Sequence, residues 1–132
     1  MTEEIKNIFM EAQKGELDAV IMYNMLADAM GSENKEIAES LRKIAKDEGK
    51  HAAIFKKLTG EAVVPDDAQA KYVCGLLPAI GAKTLFVNMA KGEYDSIEKF
   101  KVLQDEYPEL RVIVEDEPKH GDALIKMSEI VG

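Results

Sequence analysis

Asp47-Glu48-Gly49-Lys50-His51 and Asp116-Glu117-Pro118-Lys119-His120 are one phrase, Asp-Glu-x-Lys-His, written twice. Upstream of each stands a second repeated phrase, Lys14-Gly15-Glu16-Leu17-Asp18 and Lys91-Gly92-Glu93-Tyr94-Asp95. The chain therefore carries two halves of one pattern, each a lone Glu followed by Glu-x-x-His. Both histidines of the sequence fall inside it. Residues i and i+3 are neighbours on a helix face, about 5–6 Å apart at Cβ, so the Glu and the His can converge on one ion. Four glutamates and two histidines, placed this way on four helices, are the ligand set of a carboxylate-bridged two-metal site.

Apolar spacing around these phrases predicts four long helices. The first covers about residues 2–30, with Ile5, Phe9, Ala12, Glu16, Val20, Tyr23, Ala27 and Met30 inward. Gly31-Ser32 breaks it, and Ser32 or Asn34 can cap the next helix. The second covers about 35–58, with Ile37, Leu41, Ile44, Glu48, His51, Phe55 and Leu58 inward, and Thr59-Gly60 ends it. The third covers about 84–107, with Phe86, Met89, Glu93, Ile97, Phe100, Gln104 and Tyr107 inward. Pro108 closes it and suits the first turn of a fourth helix. That helix covers about 109–130, with Leu110, Ile113, Glu117, His120, Leu124 and Met127 inward. Pro118 removes a hydrogen bond and predicts either a kink or a late start. The 60–83 connection is too long for a tight turn. A short helix is expected at 71–77, its apolar residues covering the bundle or a partner subunit.

In each stripe a glutamate takes an inward position. An uncompensated buried carboxylate costs several kcal/mol, and a whole domain has only about 5–15 kcal/mol of net stability. Two divalent cations would neutralise four glutamates. Two trivalent cations with one oxide would do the same, which suits two-electron cycling. Oxygen and imidazole donors favour iron or manganese over a thiolate-seeking metal. Lys14 and Lys91 read as a solvated face. Gly15 and Gly92 each cost about 1 kcal/mol within a helix. Close helix packing is the favoured explanation, and a role in opening the site is the alternative.

Composition agrees. The 132 residues can build one domain with a real core. The net charge of −8 argues against nucleic-acid binding, which needs a basic face. It serves solubility, or a field that attracts cations. Met1-Thr2-Glu3-Glu4-Ile5-Lys6 shows no basic start leading into an apolar run, so no signal peptide is expected. Gly75, Pro78, Gly81 and Lys83 interrupt the apolar stretch 72–90, so no membrane span is expected either. The single cysteine, Cys74, cannot form an intrachain disulfide or a cysteine metal cage, and fits a reducing, cytoplasmic setting.

Over essentially its whole length the chain resembles the ferritin-like diiron carboxylate superfamily, and within it the rubrerythrin group. The resemblance implies an all-α, ferritin-like four-helix bundle with a long crossover between helices 2 and 3, residues 1–132 forming a single domain. It implies two iron ions, oxo- and carboxylate-bridged, with manganese as an alternative metal. By resemblance Glu16 and His51 serve one iron, Glu93 and His120 the other, and Glu48 and Glu117 bridge. Asp47 and Asp116 match positions that hold a ligand histidine, with a surface role as the alternative. Tyr23, two turns after Glu16, matches a tyrosine near the irons, and a plain core tyrosine is equally compatible.

Two departures stand out. Ser96 replaces a further Glu that rubrerythrins place one turn after the third-helix ligand. The sequence also lacks a rubredoxin module with its two Cys pairs, so electrons must come from a separate donor such as a rubredoxin. The activity expected by resemblance is reduction of hydrogen peroxide or dioxygen. The alternatives are a ferroxidase that takes Fe(II) as substrate, and a non-enzymatic, metal-stabilised interaction module. A homodimer or larger homo-oligomer is expected.

Overall fold

The computed structural model describes residues 1–131, and every regular element among them is helical. The all-α expectation is met. Contacts divide the chain into two compact units, Met1–Cys74 and Gly75–Gly132.

The first unit is built on α1 (Glu3–Met30) and α2 (Lys35–Thr59), which pack along each other. Thr2 starts α1 by accepting a hydrogen bond from the Ile5 N–H at 3.2 Å, and Glu3 and Glu4 complement the helix dipole. Of the two caps allowed for α2, Asn34 is the one used: its Oδ1 accepts from the Ile37 N–H at 3.1 Å. Gly60 ends α2 in the left-handed region (φ 73°), where a side chain would be strained, and its N–H bonds the Lys56 carbonyl. The shared core contains Phe9, Leu26, Ile37, Leu41 and Phe55, all fully buried. Each such side chain contributes about 1.5–3 kcal/mol by burial. The Phe9 and Phe55 rings sit 5.7 Å apart in a tilted pair.

The crossover leaves α2 as non-helical chain over residues 61–66 and enters α3 (Ala68–Ile80), which is longer than the 71–77 helix expected. Ion pairs tether it to α1. Lys6 Nζ lies 3.2 Å from Glu61 Oε1. Lys14 Nζ joins Asp18 Oδ2 at 2.7 Å and Asp66 Oδ2 at 2.9 Å, and the Asp66 N–H donates to Asp18 Oδ1 at 2.9 Å. Lys14 is thus a clasp rather than merely part of a solvated face. The Asp18 and Asp66 hydrogen bonds raise its pKa. The Lys14 hydrogen bond, followed by that from the Ala68 N–H, lowers the pKa of Asp66. Because the Asp66 value falls on folding, its contribution is present above the ordinary carboxylate range and is lost as pH drops through the depressed value. The Lys14 value rises, so its contribution is fully present below the ordinary lysine value and is lost as pH rises through the raised one. Corrected for the intrinsic rate, which itself falls in acid, hydrogen exchange at the Asp66 and Ala68 amides should therefore quicken as the pH drops. It should quicken at neutral pH in Lys14→Gln.

In the second unit Gly81 takes a φ of 84°, a conformation that again requires glycine. Beyond it lie α4 (Ala82–Asp95), the short α5 (Glu98–Leu103), a 3₁₀ turn (Pro108–Leu110) and α6 (Arg111–Val131). α4 packs on α6, burying Leu85, Phe86 and Ala90 from one, and Ile113, Leu124 and Met127 from the other. The single helix expected over 84–107 is broken after Asp95. Ser96 Oγ donates to the Glu93 carbonyl at 2.8 Å. An uninterrupted helix would offer that same carbonyl to the Ile97 N–H, so the serine competes with the helix for its acceptor. Pro118 lies inside a continuous α6, so the late start allowed by the sequence does not occur.

Close packing does not explain Gly15 and Gly92: a Cβ at either would meet nothing within 4 Å. The tight glycine is Gly121, where a Cβ would lie 2.5 Å from the Tyr94 ring. Gly15→Ala and Gly92→Ala should each raise stability by about 0.5–1 kcal/mol. Gly121→Ala should lower it by about 1–3 kcal/mol through overpacking. Denaturant unfolding of the three variants checks both signs.

Candidate metal centre

Each unit gathers one lone Glu and one Glu-x-x-His. In the first, α1 presents Glu16, and one turn of α2 presents Glu48 and His51. His51 Nδ1 stands 3.5 Å from Glu16 Oε2 and 3.4 Å from Glu48 Oε1. In the second, α4 presents Glu93 while α6 presents Glu117 and His120. His120 Nδ1 stands 3.8 Å from Glu93 Oε2 and 3.1 Å from Glu117 Oε1. All six side chains are buried, Glu16 the most exposed at 8 % and His51 at 0 %.

This geometry can be tested against a metal. Donors about 2.1 Å from one ion, at tetrahedral to octahedral angles, lie about 3.0–3.4 Å from one another. The four Nδ1–carboxylate separations, 3.1–3.8 Å, fall at or a few tenths above that window. Within each set of three, one donor atom per residue lies within 4.8 Å of the others. Small side-chain adjustments would close either triad on an ion. The donors are carboxylate and imidazole without thiolate, a set that suits iron, manganese or zinc. With Nδ1 turned to the carboxylates, each imidazole keeps Nε2 for a second partner that would fix its tautomer.

Tyr23, the tyrosine singled out in the sequence, is buried at 2 % exposure, two turns along α1 from Glu16. Asp47 and Asp116, each just before a glutamate of the triads, are half-buried. Ser96 stands where a further carboxylate was sought, with Oγ turned to the Glu93 carbonyl and 3.5 Å from Glu117 Oε2. Gln13 is a buried residue that the apolar spacing does not single out, since Ala12 was expected on the inward stripe. Gln13 is 2 % exposed and Ala12 only half-buried. The signal was available: Gln13 lies four residues after Phe9 and three before Glu16, the spacing of one helix face.

Among the described residues no helix is long and apolar enough to cross a membrane. Cys74 is partly buried, and desolvation raises its thiol pKa, which disfavours the reactive thiolate.

Comparison with known proteins agrees with this geometry. The family model for Rubrerythrin matches residues 7–128, a span that contains all six buried ligand candidates. No curated protein shows a significant match. No solved structure does either. Two buried Glu/Glu/His triads, an all-α chain of ferritin-like type and a family match along most of the sequence lead to one conclusion: the chain belongs to the rubrerythrin family.

Proposed function

We propose that the two triads hold two iron ions as one carboxylate-bridged pair, and that the protein reduces hydrogen peroxide with electrons from a separate donor. The observation that carries this reading is the duplicated, buried Glu/Glu/His set in a rubrerythrin-family chain. Glu16 and His51 would hold one ion and Glu93 and His120 the other, with Glu48 and Glu117 as the ligands the two ions would share. Manganese is the alternative metal. When bound, the metal pair supplies Lewis acidity and the two electrons that convert peroxide and two protons to two waters.

The chain supplies the rest. Its six ligands, divided between two ions, would leave coordination positions for a small oxidant. The buried setting keeps bulky reductants and bulk water away. Asp47 and Asp116 orient the imidazoles. Tyr23 provides a buried hydroxyl for hydrogen bonding near the site. Cys74, alone and disfavoured as a thiolate, does not serve as a disulfide relay, so an external donor such as a rubredoxin is required. Helix α3 buries only Ala70 and leaves Tyr72 69 % exposed, which supports a homodimer or larger assembly. The lone cysteine is in keeping with a cytoplasmic setting.

The iron-loaded, reduced protein should be oxidised by hydrogen peroxide faster than by air, and should turn over only when donor and reductant are added. Stopped-flow absorbance after anaerobic mixing measures this. If peroxide is no faster than air, or iron leaves after each oxidation, the protein handles iron as substrate and is not a peroxidase.

A further inference from the structure

The outward face of α2 carries a charge opposite to that of the rest of the chain. Arg42, Lys43, Lys46, Lys50, Lys56 and Lys57 are six of its 17 cations, and the only acids in that stretch are Asp47 and Glu48. Residues 42–57 are therefore net +4 within a chain of −8, which leaves −12 for the remainder. All six cations are exposed, whereas Glu48 is buried and Asp47 half-buried. At 3.6 residues per turn, Lys43, Lys46, Lys50, Ala53 and Lys57 share an arc of about 80°. That arc lies opposite Glu48 and His51, which the same helix buries.

Ordinary causes explain only part of this face. Lys56 and Lys57 stand in the last turn, where they complement the helix dipole. Lys43, Lys46 and Lys50 are too far from that end to do so. Spaced by three and four residues, they repel one another, which weakens a helix. Lysines elsewhere have acids beside them: Lys6 pairs with Glu61, Lys14 with Asp18 and Asp66, Lys71 with Asp67 and Lys101 with Glu98. Among the described residues, Arg42 alone of the six cations on α2 is in an ion pair, with Asp28. In a chain with 25 acids, mid-helix lysines left without one suit a partner that brings its own.

The kind of partner follows from charge and size. From Lys43 to Lys57 the face is about 20 Å long at 1.5 Å per residue, the footprint of a small protein. An extended polyanion would also meet the −12 remainder, whereas a small acidic protein meets the stripe alone, within a screening length of about 8–10 Å. Ala53, in the stripe, borders an open, mainly apolar groove that Leu17, Ala62 and Val63 complete. Apolar surface edged by charge is the make-up of a protein interface. A face of this size suits the weak, brief encounters of electron-transfer partners. Its place suits them too. Lys46 and Lys50 flank Glu48 in the sequence, His51 follows Lys50, and one helix about 10–12 Å thick separates the two faces.

We propose that the outward face of α2, Lys43, Lys46, Lys50, Ala53 and Lys57, is the docking surface for a small acidic redox protein, the electron donor. Each encounter passes one electron from the donor's reduced centre into the site behind α2. Two encounters supply the two electrons that peroxide and two protons take up in becoming two waters. The partner's redox role rests on the function proposed above; the docking of an acidic protein does not.

The test uses the full chain loaded with zinc, which does not change oxidation state, and an acidic rubredoxin carrying zinc in place of iron. Binding at low ionic strength is followed by the backbone amide resonances. Saturable shifts centred on residues 43–57 are expected. Binding should weaken at least about tenfold in the triple variant Lys43→Glu/Lys46→Glu/Lys50→Glu, and about 1 M salt should abolish the difference. The milder Lys43→Gln/Lys46→Gln/Lys50→Gln should fall between the two, and guards against a folding defect in the reversed variant. Lys83→Glu/Lys91→Glu/Lys126→Glu makes the same change in net charge in the second unit, and should weaken binding by less than about threefold. Absence of shifts on the stripe, or equal losses in the two reversed variants, overturns the proposal. So does a reversed stripe that splits an oligomer in sedimentation, which would assign the face to a second copy, or tighter binding there of a short DNA duplex. In the iron protein, reduced rubredoxin should restore the oxidised site at least about tenfold more slowly in the stripe variant, while the methyl viologen radical cation is not slowed. If these effects hold and peroxide oxidises the site no faster than air, the functional reading alone fails. If peroxide turnover with rubredoxin runs equally fast in the stripe variant, the docking surface alone fails.

Discussion

Glu48→Ala or Glu117→Ala, loaded anaerobically with Fe(II) and desalted, should retain less than about one iron per chain, against about two for the unmodified protein. Glu16→Ala and Glu93→Ala should each lose mainly one. The asymmetry arises from the proposed roles. Two divalent cations held about 3.5–4 Å apart repel by on the order of 15 kcal/mol at an effective dielectric of about 20. Only carboxylates shared between the ions offset that repulsion at both positions. A terminal ligand contributes to one ion and leaves the other with its own set. Burial sharpens the effect, since Glu48 and Glu117 are 3 % and 4 % exposed, and bulk water cannot readily replace the missing oxygens. Metal analysis with anaerobic loading decides the matter. Wild-type protein that holds a single ion per chain would sink the bridged reading, whatever the variants do.

The six ligand candidates could be read from sequence because a carboxylate in an apolar stripe violates the helical pattern, and a violation that occurs four times at matched spacing has few causes. Glu16, Glu48, Glu93 and Glu117 are all buried, as are both histidines. The features that could not be read have equally physical reasons. The buried face of α1 is broader than one residue per turn, so Gln13, Ala19, Met22 and Leu26 join the stripe while Ala12 and Val20 stop at half-burial. The clasp between Lys14 and Asp66 joins residues far apart in sequence, and no local spacing announces it. The break after Asp95 depends on which carbonyl the Ser96 hydroxyl selects, a competition between two local hydrogen bonds. The glycines misled because their spacing repeats with the ligand phrases. Gly15 and Gly92 have open space, and the crowded position is Gly121, in the turn of helix beside His120.

Removing the metal should lower the melting temperature by at least about 15 °C at pH 8. Ligand linkage sets the scale: an ion at 1,000 times its dissociation constant adds about 4 kcal/mol, and 1 kcal/mol moves the midpoint of a domain this size by about 4 °C. The proposed source of that energy is the buried ligand set. Four carboxylates with 3–8 % exposure have given up most of their hydration, and bound cations would restore the compensation. The same argument fixes the pH dependence. Metal binds the deprotonated ligands, so protons compete with it, and its contribution shrinks as the solution is acidified. The gap between chelated and metal-loaded melts should therefore be large at pH 8 and narrow towards pH 5. Calorimetry of both forms across that range measures it directly. Coincident melts at every pH would mean that the buried glutamates are stabilised by the protein alone, and the triads would then be a structural network rather than a metal centre.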